Sequence, residues 1–122
     1  METRHKILHP YIPSAACKAT YDDGTLCIEG LNREGLVVLS VSFGSILLFR
    51  LMDEGMRLKL LTELSGMRGL LMTDEDSLLT HWISDESCGT RDTSEARHFI
   101  VFAGEEILDI VSTGAPTIVV SS

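Results

Sequence analysis

The sequence has no cysteine pair at C-x-x-C spacing, no glycine-rich phosphate loop, no cluster of basic residues and no uncharged run long enough to cross a bilayer. Each absence closes off a class of function. Cys17, Cys27 and Cys88 form an odd set, so one thiol stays unpaired whatever the others do, and reduced, packed thiols in a cytosolic protein are expected. The longest uncharged stretch, Gly35 to Phe49, is interrupted by serines and a glycine and stops at Arg50, short of the roughly 20 residues a membrane helix needs. Met1 to His9 carries Glu2, Arg4, His5 and Lys6 with no apolar segment behind them, so no secretory signal is expected. His5, His9, His81 and His98 lie in separate segments and no His or Cys pair has zinc-ligand spacing. Asp74-Glu75-Asp76-Ser77 lacks the glycine turn and terminal glutamate of a calcium loop, and Gly66, Gly69 and Gly89 are isolated. Neither a metal nor a cofactor is expected.

What is present describes one ordinary globular domain over residues 1–122. Hydrophobic residues make up 44% and charged residues 23% of the chain, enough to bury a single core and too apolar for a disordered tail. The net charge of −8 excludes a nucleic-acid binder of the usual kind, because phosphate recognition needs a basic footprint. Acids and bases balance up to Met72. Between Thr73 and Asp109, Asp74, Glu75, Asp76, Asp85, Glu86, Asp92, Glu95, Glu105, Glu106 and Asp109 face only Arg91 and Arg97, so the acidity is local.

The local patterns predict strands grouped around two helices. His9-Pro10-Tyr11-Ile12-Pro13 is extended, since each residue before a proline is pushed out of the α region, and is placed at a sheet edge. Asp22-Asp23-Gly24 predicts a hairpin turn. Val37, Leu39, Val41 and Phe43 alternate with smaller or polar residues, the period of a strand with one buried face. Gly44-Ser45 then predicts a bulge or a tight turn before Ile46 to Leu51. Met56, Leu60, Leu61 and Leu64 repeat at helical spacing after Asp53, a candidate N-cap, with Gly66 as the stop. Thr73 and Asp76 have capping-box spacing before Leu78, Leu79, Trp82 and Ile83, which predicts a second amphipathic helix. His98 to Phe102 and Ile107 to Val111 read as a second hairpin, and Pro116 admits a last strand over Thr117 to Val120. The expected class is α+β: a mainly antiparallel sheet of about five to six strands, with two helices packed on one side or end.

Little of this spells catalysis. His81 and Asp85 are four residues apart, with Cys88 close behind, which makes a nucleophile, base and orienter conceivable on spacing alone; a solvated pair beside a loop cysteine is the simpler reading, and no enzyme is expected. The acidic stretch is the stronger feature. Carboxylates concentrated on one surface repel each other and steer association with a basic protein. On that ground Asp74, Glu75, Asp76, Asp85, Glu86, Asp92 and Glu95 are expected to form the partner-binding surface, with Trp82 and Arg91 as anchors.

Ser42-Phe43 through Leu51-Met52-Asp53-Glu54-Gly55, Ser77-Leu78-Leu79 with Trp82, His98-Phe99-Ile100-Val101, Asp109-Ile110-Val111 and Ala115-Pro116 resemble small bacterial proteins found beside polymorphic toxins. These are similar to immunity proteins of contact-dependent or type VI antagonism systems. The resemblance implies a cytoplasmic inhibitor that binds a cognate toxin domain and masks its active or substrate-binding surface; no catalytic residues carry over. The local acidity agrees with a basic nuclease as that toxin. Two rivals remain: a structural subunit pairing its sheet edges as a homodimer, and a small enzyme using His81 and Cys88.

Overall fold

The structure is a computed structural model that describes residues 4–90 and 93–121. It is an α+β fold with two antiparallel sheets, and the strands run β1 (His5–Pro10), β2 (Ala16–Asp22), β3 (Thr25–Leu31), β4 (Val37–Phe43), β5 (Ile46–Asp53), β6 (Gly69–Asp74), β7 (Arg97–Ala103), β8 (Glu106–Ser112) and β9 (Thr117–Val120). A five-stranded sheet has the order β1-β6-β7-β8-β5, and a four-stranded sheet the order β2-β3-β4-β9. Helix α1 (Leu58–Leu64) follows a single 3₁₀ turn at Glu54–Met56, and helix α2 (Leu78–Glu86) lies between β6 and β7.

The expected single sheet of about five to six strands is thus corrected to two sheets with nine strands. The reason is visible in burial. In β4, Leu39, Val41 and Phe43 are fully buried while Val38, Ser40 and Ser42 are not, so this strand has one covered face. In β7 and β8 almost every residue is buried, the pattern of strands covered on both faces. Their inner side chains, Phe99, Val101, Ala103, Leu108 and Ile110, meet Leu26, Ile28, Leu39, Val41 and Phe43 of the other sheet. On the outer face, Ile100, Phe102, Ile107 and Met72 cluster with Leu60 and Leu64 of α1. Each fully buried side chain of this size contributes about 1.5–3 kcal/mol.

Local signals set the connections. Asp23 (φ 49°) and Gly24 (φ 82°) both adopt positive φ, the backbone of a tight hairpin turn between β2 and β3. Gly44-Ser45, with Ser45 at φ 52°, is where the chain leaves the four-stranded sheet for the five-stranded one. Gly30 faces Leu39, and a Cβ there would lie 2.8 Å from Leu39 Cγ. Asp53 caps the 3₁₀ turn by accepting from the Gly55 N–H at 2.8 Å, and Ser65 and Gly66 end α1 in left-handed conformations. The capping box expected at Thr73 and Asp76 is corrected: Thr73 is buried in β6, and the cap of α2 is Ser77, whose hydroxyl accepts from Leu79 N and Thr80 N. A strand pairing with β1 and β7 outweighs a short-range capping signal. Among the described residues no helix is long and apolar enough to cross a membrane.

Candidate functional site

The outer face of the five-stranded sheet carries charge where the sequence pattern calls for apolar residues. The ladders set Arg50 of β5 opposite Asp109 of β8 and His98 of β7 opposite Asp74 of β6. Asp109 is fully buried. Its Oδ1 is 2.7 Å from His98 Nε2, and its Oδ2 accepts from Arg50 Nε at 2.8 Å and from the Arg57 guanidinium. The other ring nitrogen, His98 Nδ1, is 2.6 Å from Ser77 Oγ at the start of α2. Burial pushes the Asp109 carboxyl upward, but the hydrogen bonds from His98 and Arg50, with the nearby Arg57 charge, hold its pKa at about 2.

Ser77 Oγ accepts from Leu79 N at 3.1 Å and, more weakly, from Thr80 N at 3.4 Å. The same hydroxyl shares a 2.6 Å hydrogen bond with His98 Nδ1, which also lies 3.8 Å from an Asp74 oxygen.

A second ion pair lies beside this relay. Arg4 grips both oxygens of Asp74, at 3.0 and 2.8 Å, and the Asp76 N–H adds a bond at 3.1 Å. Burial raises the Asp74 carboxyl, and the Arg4 and Asp76 bonds more than offset it, so its pKa falls below the ordinary value. The buried His5 ring is lowered, chiefly by desolvation. Above these groups a cleft of about 370 Å³ opens between the two helices, lined by Arg4, Arg50, Arg57, Lys59, Glu63, Ser77, Leu79 and His98 among others. A smaller pocket of about 100 Å³ reaches Ser77 and His98 from the side of Thr73 and Arg97.

Next to the cleft lies an apolar surface. Helix α2 buries none of its residues completely, and Trp82 is 50% and Leu78 is 78% exposed. Phe49 of edge strand β5 stacks on Tyr21 of edge strand β2, ring centroids 5.4 Å apart. Two shallow depressions of about 520 and 380 Å³ share Leu48, Phe49 and Trp82; Tyr21 and Glu86 line the first. The second is lined by Arg50 and Leu79, which also line the cleft. Cleft and apolar surface are therefore continuous around α2.

The residues singled out from sequence divide accordingly. Trp82 stands at the centre of the apolar surface. Asp76, Asp85, Glu86 and Glu95 are exposed, and Glu75 is exposed and paired with Lys6 at 3.6 Å. Asp74 is corrected: at 7% exposure and bound by Arg4, it is an internal ion-pair member and offers no carboxylate to a partner. Asp109, part of the same acidic stretch, is internal too. Glu105 and Glu106 sit at the β7–β8 turn, the far end of those strands from His98. Arg91 and Asp92 lie outside the described residues. His81, Asp85 and Cys88 are all exposed, and no side-chain hydrogen bond or ion pair among the described residues joins them.

Sequence reading missed Ser77, His98 and Asp109 as a set, and Phe49 with Tyr21 as a surface pair. One signal for the first was present: an aspartate inside the apolar run Ile107 to Val111 is an ionisable group placed where burial is certain. Among the described residues no group of three or more His, Cys, Asp or Glu side chains is arranged to hold a metal ion. Comparison with known proteins gives no match: no family model, no curated protein and no solved structure matches the chain.

Proposed function

We propose that this chain is an inhibitor that binds a basic protein domain through the surface around α2 and masks that domain's active or substrate-binding face, as an immunity protein does for a toxin. The observation that carries the reading is Trp82, half exposed above Leu48 and Phe49, with the Phe49–Tyr21 stack beside it. Rigid aromatic side chains in shallow apolar depressions are the anchors that dominate protein–protein affinity, and an exposed apolar patch on a small domain marks an interaction surface. The residues of the immunity-protein resemblance that fall in this part of the chain, Ser77, Leu78, Leu79 and Trp82, each line the cleft or a depression.

Charge gives the partner its sign. Asp76, Asp85 and Glu86 are exposed at the ends of α2, and Asp22 and Asp23 follow Tyr21 at the β2–β3 turn. An acidic rim around an apolar centre steers a basic protein and sets its association rate. With Asp74 and Asp109 internal, this is a smaller contribution than the acidic stretch implies, and the apolar centre carries the affinity.

The test is to look for a basic toxin domain in the neighbouring reading frame and to measure its binding to this chain. Trp82→Ala is expected to weaken binding by about 30-fold or more, and Asp85→Lys with Glu86→Lys to slow association at low salt. Unchanged affinity in the first variant, or an unchanged association rate in the second, refutes the assigned surface. A concentration-dependent mass of the chain alone would instead assign the β2 and β5 edges to a second copy of itself.

A further inference from the structure

We propose that Ser77, His98 and Asp109 form a serine-nucleophile site in the cleft between α1 and α2, one that hydrolyses carboxylic esters carrying a negative charge. This goes beyond the binding reading and stands on separate residues. The hydroxyl is 2.6 Å from one nitrogen of His98, and the other nitrogen is 2.7 Å from an aspartate oxygen, the nucleophile, base and orienter arrangement. Ser77 faces Nδ1 and Asp109 faces Nε2, the reverse of the usual order. The chemistry is indifferent to that, because each nitrogen takes or gives the proton when its opposite is held by a carboxylate.

Anchoring α2 does not require this relay. A serine N-cap needs only its own oxygen, and buried ion networks of this kind add little stability over well-packed apolar side chains. A hydroxyl that borders a cleft from a largely buried position and is joined through one imidazole to a buried aspartate under two guanidinium groups is instead the setting in which ionisable groups do chemistry.

The step starts from the His98 tautomer that carries its proton on Nε2, facing Asp109. Ser77 Oγ forms a bond to the acyl carbon and its proton passes to His98 Nδ1, while Asp109 stabilises the resulting imidazolium. The bond to the leaving alcohol then breaks, and the alcohol departs with the proton from His98. Water attacks the acyl-serine, gives its proton to His98, releases the carboxylic acid and restores the Ser77 hydroxyl. Arg50 and Arg57 spend Nε and Nη1 on Asp109, and both line the cleft, so they bring positive charge to the cavity that Ser77 borders. Arg4 and Lys59 also line the cleft; four cations against Glu63 and Asp74 in the lining leave it net positive, which favours a substrate that carries a carboxylate or phosphate.

The experiment uses the full chain alone, so a failed partner-binding test leaves it intact. Treatment with a fluorophosphonate probe, followed by peptide mapping, is expected to show one adduct, on Ser77. Mono-p-nitrophenyl succinate is expected to be hydrolysed faster than p-nitrophenyl acetate, with turnover falling by about 10³-fold or more in Ser77→Ala. Circular dichroism of that variant checks that it is folded; if it is not, His98→Gln takes its place. Folded wild-type protein that stays unlabelled, labelling at another residue, or turnover that survives in the folded variant overturns the proposal. Equal rates on the two esters overturn the substrate class.

Discussion

Asp109→Asn isolates the electrostatics of the buried relay, because asparagine keeps the shape of the side chain and removes its charge. In the wild type the carboxyl is held at about 2 against an ordinary 3.8, a difference worth about 2 kcal/mol of folding stability at neutral pH. The folded-state value is the depressed one. The contribution is therefore fully present above the ordinary carboxylate range and is lost as pH falls towards 2, with roughly half of it gone by pH 3. In the variant, Arg50, Arg57 and His98 share a neutral amide that has one acceptor oxygen in place of the carboxylate's two, and all three lose their charged partner. Removing one member of a buried ion pair costs about 3–5 kcal/mol, which for a domain of this size lowers the melting temperature by roughly 10–15 °C. Urea unfolding followed by circular dichroism from pH 7 to pH 3 measures both quantities. The wild type is expected to be more stable at pH 7 by the larger amount, and the gap to narrow by about 1 kcal/mol at pH 3. A variant within about 1 kcal/mol of wild type at pH 7, or a gap that does not change with pH, refutes the reasoning.

Two further outcomes test the packing and the thiols. Gly30→Ala puts a methyl group 2.8 Å from Leu39 Cγ and is expected to destabilise the four-stranded sheet by about 1–3 kcal/mol, read as a lower urea midpoint; an unchanged midpoint would show that Leu39 moves aside freely. Burial pushes the Cys17 thiol up to about 11, so at pH 8 iodoacetamide is expected to modify the exposed Cys88 and leave Cys17 intact in peptide maps, and equal modification would contradict that burial.

Much of the scaffold was legible because its signals are local. Asp23-Gly24 names its own turn, the alternation from Val37 to Phe43 names its own face, and the apolar runs in β7 and β8 flank a short polar connection. The second sheet was not legible, since what separates β3 and β4 from β7 and β8 is which faces become covered, and that depends on strands far away in sequence. Thr73 shows the same limit. Its spacing to Asp76 imitates a capping box, yet its pairing with Lys6 and Phe99 decides its conformation. For the candidate surface, residue type and local acidity pointed to Trp82, Asp76, Asp85 and Glu86, all of which are exposed. Ser77, His98 and Asp109 were not, because they come from a helix cap and two strands and meet only when β7 and β8 pair. Asp74 was read as a surface carboxylate for a related reason: composition counts a carboxylate without revealing that Arg4, 70 positions earlier, binds both of its oxygens.

The pairing of β4 with β9 has a consequence during synthesis. Val41 meets Ile28 on one side and Ile118 on the other, and the first neighbour is made early while the second is made late. At about 5–20 residues per second, a nascent chain holds one side of β4 open for several seconds. Through that interval the hairpins of β2, β3 and β4 present an unsatisfied row of amides and carbonyls to any passing strand, so crowding on polysomes, more than the melting temperature, is expected to set how much active protein a cell recovers.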